Sequence, residues 1–173
     1  MKEELTMQYD KNSNKARLGD AWSHECLESL TSNGIAAEHA PDFPFPDYDI
    51  KILDECLANW QRPGFKQPTI ECKLAGSENN AVKIASGIFE MSSADFVAIK
   101  YKGIDGEQKT RVFNRYKLRS YLKNAPRIKE SRKTDGTGYD YYSWPPEYLD
   151  KFRGAVPWDQ FLEAVKTKKI NVI

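Results

Sequence analysis

The chain has 173 residues, 40% of them hydrophobic and 12% aromatic, which is long and apolar enough for one domain with a substantial core. No apolar run approaches the length of a membrane span, and the N-terminus lacks the apolar stretch of a signal peptide. The net charge is +1, but residues 1–60 hold 5 Lys and Arg against 12 Asp and Glu, whereas residues 100–133 hold 12 against 3.

This uneven charge suggests that an acidic part suited to a metal ion precedes a basic part suited to phosphate, although a basic segment can also be a solvated face. The cysteines are too few and too widely spaced for a disulfide framework, which favours a reducing, cytoplasmic compartment. His24 and Cys26 form the only close pair of zinc-type ligands, so a zinc site is not expected.

Residues 16–32 are predicted to form the first helix, which Asn33-Gly34 ends well. Glu25 lies about 60° from Trp22 around this helix, at the edge of the apolar stripe. It is either an ordinary boundary residue or a carboxylate that leans over a neighbouring sheet edge. The stripe has i, i+4 spacing and consists of Leu18, Trp22, Cys26 and Leu30.

Two short strands are predicted at residues 46–52 and 69–74, where apolar and polar residues alternate. In the first strand, Asp47 and Asp49 point away from the apolar face, and in the second, Glu71 and Lys73 do so. If the strands pair, one face carries carboxylates and an ammonium, a combination suited to magnesium and phosphate. The alternative is an amphipathic hairpin with a solvated charged face.

Residues 78–91 have apolar side chains at helical spacing and predict a crossover helix. The nearly continuous apolar run at residues 94–101 then predicts a buried central strand, and residues 109–113 a returning strand. A basic helix follows at about 115–123, with Arg115, Lys117, Arg119 and Lys123 predicted to point outward. Two short helices are expected at residues 146–152 and 158–166.

Residues 124–140 are interpreted as a flexible loop whose basic side chains suit contact with a sugar-phosphate backbone. The aromatic residues that follow, up to Trp144, are expected in the core more readily than stacked on bases. The residues predicted to contact nucleic acid are Lys83, Arg127, Lys129, Arg132 and Lys133, for each of which a solvated surface position is the alternative.

The order of these elements and motifs resembles the PD-(D/E)xK nuclease superfamily, with its restriction-endonuclease-like fold. The resemblance is carried by Pro46-Asp47 or Asp49, and by Glu71-Cys72-Lys73 preceded by Thr69-Ile70. In layout, residues 17–101 are also similar to archaeal Holliday junction resolvases. The resemblance implies an α/β fold with a central mixed β-sheet flanked by helices. It places a nuclease core at about 16–114 and a basic, aromatic extension at about 115–173 of a single domain, 1–173.

The resemblance also implies cleavage of DNA with magnesium, for which manganese can substitute. Asp49, or Asp47 in its place, and Glu71 would hold the metal with the backbone carbonyl of Cys72. Lys73 would orient the attacking water, and Glu25 matches the glutamate that many members contribute from the first helix. Asp49 is favoured over Asp47 because it leads directly into an aliphatic stretch.

The expected function is therefore a magnesium-dependent DNA endonuclease, of restriction type or from phage or repair systems. Cutting both strands of a duplex would favour a homodimer. The alternatives are a Holliday junction resolvase, a non-enzymatic DNA-binding module on the same fold, and a protein-interaction domain. Fold alone does not choose among them.

Overall fold

The computed structural model describes residues 14–41, 48–53, 67–74, 82–85, 93–124, 129–132, 140–144 and 146–167. No helix in these ranges is long and apolar enough to cross a membrane. The described helices are α1 (Asn14–Ser32), α2 (Arg115–Asn124), α3 (Pro146–Lys151) and α4 (Trp158–Lys166). The described strands are β1 (Ala37–His39), β2 (Ile50–Ile52), β3 (Thr69–Leu74), β4 (Val82–Ala85), β5 (Phe96–Lys102), β6 (Gln108–Asn114), β7 (Lys129–Arg132), β8 (Asp140–Trp144) and β9 (Val156–Pro157).

Six of these strands form one mixed sheet, in the order β1-β2-β3-β5-β6-β9. The β3 and β5 strands run parallel, whereas the other neighbouring pairs in this sheet are antiparallel. The remaining strands form a separate antiparallel sheet in the order β4-β8-β7. The predicted α/β class, with a central mixed sheet flanked by helices, is therefore confirmed.

The central sheet has a hydrophobic cluster on each face because side chains alternate along β5. Phe96 and Ala98 pack toward α1 and α4, on what we call the α1 face. Val97 and Ile99 pack toward α2 and α3, on the α2 face. The other buried sheet residues of the α1 face are Ile50, Ile52, Ile70, Cys72 and Val112, and those of the α2 face are Tyr101 and Phe113.

The C-terminal segment completes the α1 face. Phe161, on α4, packs edge-on against Phe96, with 5.3 Å between ring centroids. The indole N–H of Trp158 donates to the Ser29 hydroxyl of α1 at 2.7 Å. The β9 strand also extends the central sheet by pairing with β6. The predicted extension at 115–173 thus contributes β9 to the central sheet and three helices, α2, α3 and α4, to the layers around the predicted nuclease core.

The helix predicted at 78–91 is wrong where the structure describes it, because residues 82–85 form β4. This strand pairs antiparallel with β8, with Val82 opposite Trp144 and Ile84 opposite Tyr142. Val82 and Ile84 are β-branched and alternate with Lys83, which is a pattern typical of a strand. Their spacing from the other apolar residues of 78–91 is equally compatible with a helix. Pairing with a distant strand decides between the two.

Two further expectations about the basic segment are corrected. Residues 129–132, predicted as part of a flexible loop, form β7, which pairs with β8. Arg115, predicted to point outward, is buried, and its Nε–H donates to the Ala94 carbonyl at 2.5 Å. Arg115 lies on the same side of α2 as Leu118 and Leu122, at i, i+3 and i+7, so the helix turns it toward the sheet.

A carboxylate on α3 fastens that helix to the β5–β6 hairpin. Asp150 accepts hydrogen bonds from the Tyr101 hydroxyl (3.0 Å), the Lys109 ammonium (3.1 Å) and the Ile104 backbone N–H (2.9 Å). Burial opposes ionisation of Asp150, but these hydrogen bonds outweigh burial, so the pKa of the carboxyl lies below its usual value. Asp150 therefore stabilises the fold in its charged form.

Asp150→Asn is expected to lower the free energy of unfolding by about 2 kcal/mol at pH 7, since hydrogen bonds to a charged group are lost or weakened. Because the pKa is lowered in the folded state, the contribution of Asp150 is present above the unfolded pKa of about 3.9 and declines as the pH falls below it. Urea unfolding should show a smaller difference in the free energy of unfolding between the variant and the parent protein at pH 3 than at pH 7. An unchanged difference at pH 3 would contradict this assignment.

Candidate functional site

Asp49 lies where β2 meets β3, just before the first residue of β2. Its carboxylate oxygen Oδ2 accepts a hydrogen bond from the backbone N–H of Cys72 at 2.7 Å. That N–H belongs to the peptide group that joins Glu71 to Cys72. The fold therefore brings the Asp49 carboxylate to the middle of the Glu71-Cys72-Lys73 segment.

An irregularity in the β2–β3 pairing puts Asp49 in this position. Ile50 is the register partner of Ile70, yet the N–H of Asp49 also donates to the Ile70 carbonyl at 2.9 Å. Two consecutive residues of one strand thus face one residue of the other, as in a β-bulge, which re-aims the side chain at the bulge. Regular β2–β3 pairing ends there, and the Asp49 side chain binds the next N–H that β3 directs toward β2.

Glu71 lies on the α2 face of the sheet. Its neighbours Ile70 and Cys72 are buried on the α1 face, and its register partner on β5 is Val97, which is buried on the α2 face. Glu71 is half-buried, and its Oε2 atom is shielded from solvent. In the same strand, the backbone of Lys73 is in register with Ile99.

The part of the α2 face that β1, β2 and β3 form carries charged residues. It lies beside the apolar cluster that α2 and α3 cover. Exposed Glu38 on β1 is the cross-strand partner of half-buried Lys51 on β2, a favourable pairing of opposite charges. Among the described residues, the cluster on the α2 face includes none from β1, β2 or β3. The α2 face is therefore divided into a hydrophobic half and a charged half, and Glu71 is at the boundary.

A buried carboxylate, that of Asp95, holds the start of β3 against the start of β5. Its Oδ2 accepts from the backbone N–H of Thr69 at 2.9 Å and from the Thr69 hydroxyl at 3.2 Å. The backbone N–H of Asp95 in turn donates to the Thr69 carbonyl at 3.0 Å. Sequence analysis missed this positioning residue, although a charged residue directly before a continuous apolar strand was a signal that it has a specific partner.

The thiol of Cys72 is buried on the α1 face, next to Cys26 of α1. A hydrogen bond with the Cys26 thiol, together with burial and the negative charge of Asp49, raises the pKa of Cys72 well above its ordinary value, while a hydrogen bond from Ser23 acts in the opposite direction. Cys72 is therefore a neutral thiol near pH 7. A thiol in that state is neither a nucleophile nor a sulfur ligand, so only the backbone of Cys72 is suited to the site.

The structure does not bring Glu25 to Glu71. The carboxylate of Glu25 lies 3.6 Å from the ammonium of Lys100, and that ammonium also lies 5.2 Å from the centroid of the Trp22 ring. Alternation along β5 puts Lys100 on the same face as Ala98, which is the α1 face. Glu25 and Glu71 thus occupy opposite faces of the sheet, and Glu25 is 57% exposed as part of a surface ion pair.

The second sheet brings together two residues predicted to contact nucleic acid. Lys83 on β4 and Lys129 on β7 are both register partners of Ser143 on β8, so they occupy one row across the three strands. Arg132 is paired in register with Asp140 on β8. Asp47, Arg127 and Lys133 lie outside the described residues. The rings of His24 and His39 stack, with 6.0 Å between centroids.

The oxygen donors at the β2–β3 junction fit a hard cation that needs few protein ligands. In a strand, the N–H and C=O of one residue point to the same side, so the Cys72 carbonyl points toward the same edge as the N–H that Asp49 binds. Asp49, Glu71 and this carbonyl are oxygen donors, and magnesium commonly uses one or two carboxylates and retains several waters. No group of three or more His, Cys, Asp or Glu side chains within the described ranges is arranged to hold a metal ion.

No family model matches the chain, and no curated protein is significantly similar to it in sequence. The case for a function therefore depends on the geometry of the β2–β3 junction and on the residues that meet there.

Proposed function

We propose that this chain is a magnesium-dependent DNA endonuclease with a restriction-endonuclease-like fold. The observation that carries the proposal is the hydrogen bond between the Asp49 carboxylate and the Cys72 N–H, at 2.7 Å. It joins the aspartate of one strand to the Glu-x-Lys segment of the next, and these residue types in this order are the ones that the PD-(D/E)xK resemblance implies. Asp49 is accordingly preferred to Asp47 as the metal ligand.

The order of elements supports the same proposal. The α1 helix precedes three consecutive antiparallel strands, β1 to β3, and β5 then runs parallel to β3. This is the layout of the first helix, acidic strand, Glu-x-Lys strand and buried strand that the resemblance predicts. It departs from that layout in the crossover between β3 and β5, where residues 82–85 form a strand.

The proposed chemistry follows from charge. A phosphodiester resists hydrolysis because its oxygens repel an anionic nucleophile, and magnesium bound at this junction would lower the pKa of water and offset the charge of the transition state. Asp49, Glu71 and the Cys72 carbonyl would bind the cation. Lys73 would orient the attacking water and neutralise part of the phosphate charge.

The test is cleavage of supercoiled plasmid and of a four-way junction, with magnesium and with EDTA. The parent protein is expected to nick or linearise DNA only with magnesium, and Lys73→Ala is expected to lower the rate by roughly a hundredfold or more. Lys166→Ala is the matched control, because Lys166 is an exposed lysine on α4, beyond the opposite face of the sheet. It should cleave at the parent rate.

Each outcome decides between the candidate functions. Discrete duplex fragments would indicate a restriction-type enzyme, and cleavage of the junction alone a resolvase. Loss of cleavage in both lysine variants, or cleavage that survives in Lys73→Ala, would contradict the proposed site. Absence of cleavage by the parent protein, with salt-sensitive DNA binding intact, would replace the enzyme by a DNA-binding module.

A further inference from the structure

The α2 helix has a continuous arc of hydrogen-bond donors on the side away from the sheet. Leu118 and Leu122 are buried in the cluster of the α2 face, together with Arg115 on the same side of the helix. At 100° per residue, the opposite side covers an arc of about 160°. The residues of this donor arc are Tyr116, Lys117, Arg119, Ser120, Lys123 and Asn124.

The chemistry of the donor arc is one-sided. Every one of its side chains can donate a hydrogen bond, and the whole of α2 contains no Asp or Glu. Lys, Arg, Ser, Asn and Tyr are the side chains that proteins use on phosphate oxygens and sugars of DNA. An exposed helix surface whose charges serve only solubility usually carries both signs of charge, and α2 carries only positive ones.

Arg119 adds a second observation. In the part of the chain that the structure describes, its Nε–H is shielded from water and has no hydrogen-bond acceptor. A buried donor without an acceptor is unfavourable, and a guanidinium that turns toward a phosphate oxygen would acquire one. Arg119 and Lys123 are separated by one helical turn, so both can contact neighbouring phosphates of the same DNA strand.

The donor arc and the proposed catalytic residues lie on the same side of the sheet. Leu118 and Leu122 pack into the cluster that contains Val97 and Ile99, and Val97 is the register partner of Glu71. Adjacent strands are about 4.8 Å apart, so α2 covers the strand next to the one that carries Glu71. Each DNA strand has one phosphate per about 3.4 Å of helix axis, so a strand with one phosphate at Glu71 presents further phosphates toward α2.

We propose that the donor arc of α2 is the docking surface for the sugar-phosphate backbone of double-stranded DNA. The proposal rests on the proposed nuclease function, since it places the duplex across the α2 face with its scissile phosphate at Glu71. The individual residues predicted from sequence to contact nucleic acid all lie outside α2, so this helix adds a surface to them; they are Lys83, Arg127, Lys129, Arg132 and Lys133. Its lysines would contribute to binding of any duplex sequence, because phosphate contacts do not read bases.

The test is the salt dependence of duplex binding, measured by fluorescence anisotropy with EDTA present so that no cleavage intervenes. Lys117→Gln/Lys123→Gln is compared with Lys102→Gln/Lys166→Gln. All four lysines are exposed, and the second pair lies on or beyond the α1 face. The first double variant is expected to raise Kd at least tenfold and to reduce the slope of log K against log salt by about 2, whereas the control pair should leave both unchanged. Arg119→Gln should weaken binding further.

Equal effects of the two double variants on duplex binding, or no effect from either, would overturn the docking surface. Tighter binding to phosphatidylserine vesicles or to single-stranded RNA than to duplex DNA would also overturn it. The plasmid assay separates this failure from that of the nuclease. If the parent chain cleaves DNA while the α2 pair behaves like the control, the docking surface fails alone. If nothing is cleaved while the α2 pair loses binding selectively, the enzyme fails and the DNA surface stands.

Discussion

Asp49→Asn is expected to lower magnesium-dependent DNA cleavage by roughly a hundredfold or more, with little change in the free energy of unfolding. The asparagine carbonyl can still accept the Cys72 N–H that Asp49 binds at 2.7 Å, so the end of the β2–β3 pairing is kept. The negative charge that a cation requires is lost. The rate of plasmid nicking and the midpoint of urea unfolding are the two measurements.

Asp49→Ala separates the structural role of this carboxylate from its proposed role as a ligand. It removes the hydrogen bond together with the charge, so it should lose about 1–3 kcal/mol of stability in addition to activity. Glu38→Gln is the control for charge, because Glu38 is an exposed carboxylate on β1, the strand next to β2, and is not among the proposed ligands. If Asp49→Asn cleaves like the parent protein and only Asp49→Ala is impaired, through stability alone, Asp49 is a structural residue and not a ligand.

Much of the central sheet was predictable from short-range periodicity. The apolar stripe of α1, the alternation in β3 and the continuous apolar run of β5 all correspond to elements whose burial follows from their own sequence. The Glu-x-Lys strand was found this way because Ile70 and Cys72 had to face a core. Local sequence patterns are therefore enough to predict a helix or strand whose buried face follows from its own periodicity.

The second sheet was not predictable in the same way. Residues 82–85 satisfy both a helical and a strand pattern, and their partner β8 lies more than fifty residues later in the chain. The β7 strand is polar throughout, so no alternation indicated a buried face. Strand identity in both cases depends on pairing between distant segments, which outweighs local propensity.

The residue types of the candidate site were predictable from the sequence, but their arrangement was predictable only in part. Parity along β2 put Asp47 and Asp49 on the same face and did not distinguish them. The bulge at Asp49 and its hydrogen bond to Cys72 give Asp49 a defined contact with β3, and a bulge leaves no periodic trace in a sequence of this length. Glu25 was placed at the edge of its helix correctly, but the face of the sheet that α1 covers could not be inferred from the helix alone.

Phe161→Ala is expected to lower the free energy of unfolding by about 4 kcal/mol, the usual loss for a fully buried phenylalanine. Phe161 is completely buried and contacts Phe96 of β5 and Trp158, with ring centroids 5.3 and 5.6 Å apart. A loss of this size is a large fraction of the stability of an ordinary domain. Urea unfolding of the whole chain, followed by tryptophan fluorescence and by circular dichroism, measures it.

The size of this loss tests whether the C-terminal segment is part of one cooperative domain with the proposed nuclease core. Ile104→Ala is the matched control, because Ile104 is a large hydrophobic residue that is 62% exposed, and its loss should be within about 0.5 kcal/mol. A double-mutant cycle of Phe96→Ala and Phe161→Ala should show a coupling of about 0.5–1.5 kcal/mol, since the two rings touch edge to face. If Phe161→Ala instead produced an early separate transition that left the β3–β5 region folded, α4 would be an appendage. In that case, the positions of Asp49 and Glu71 would not depend on it.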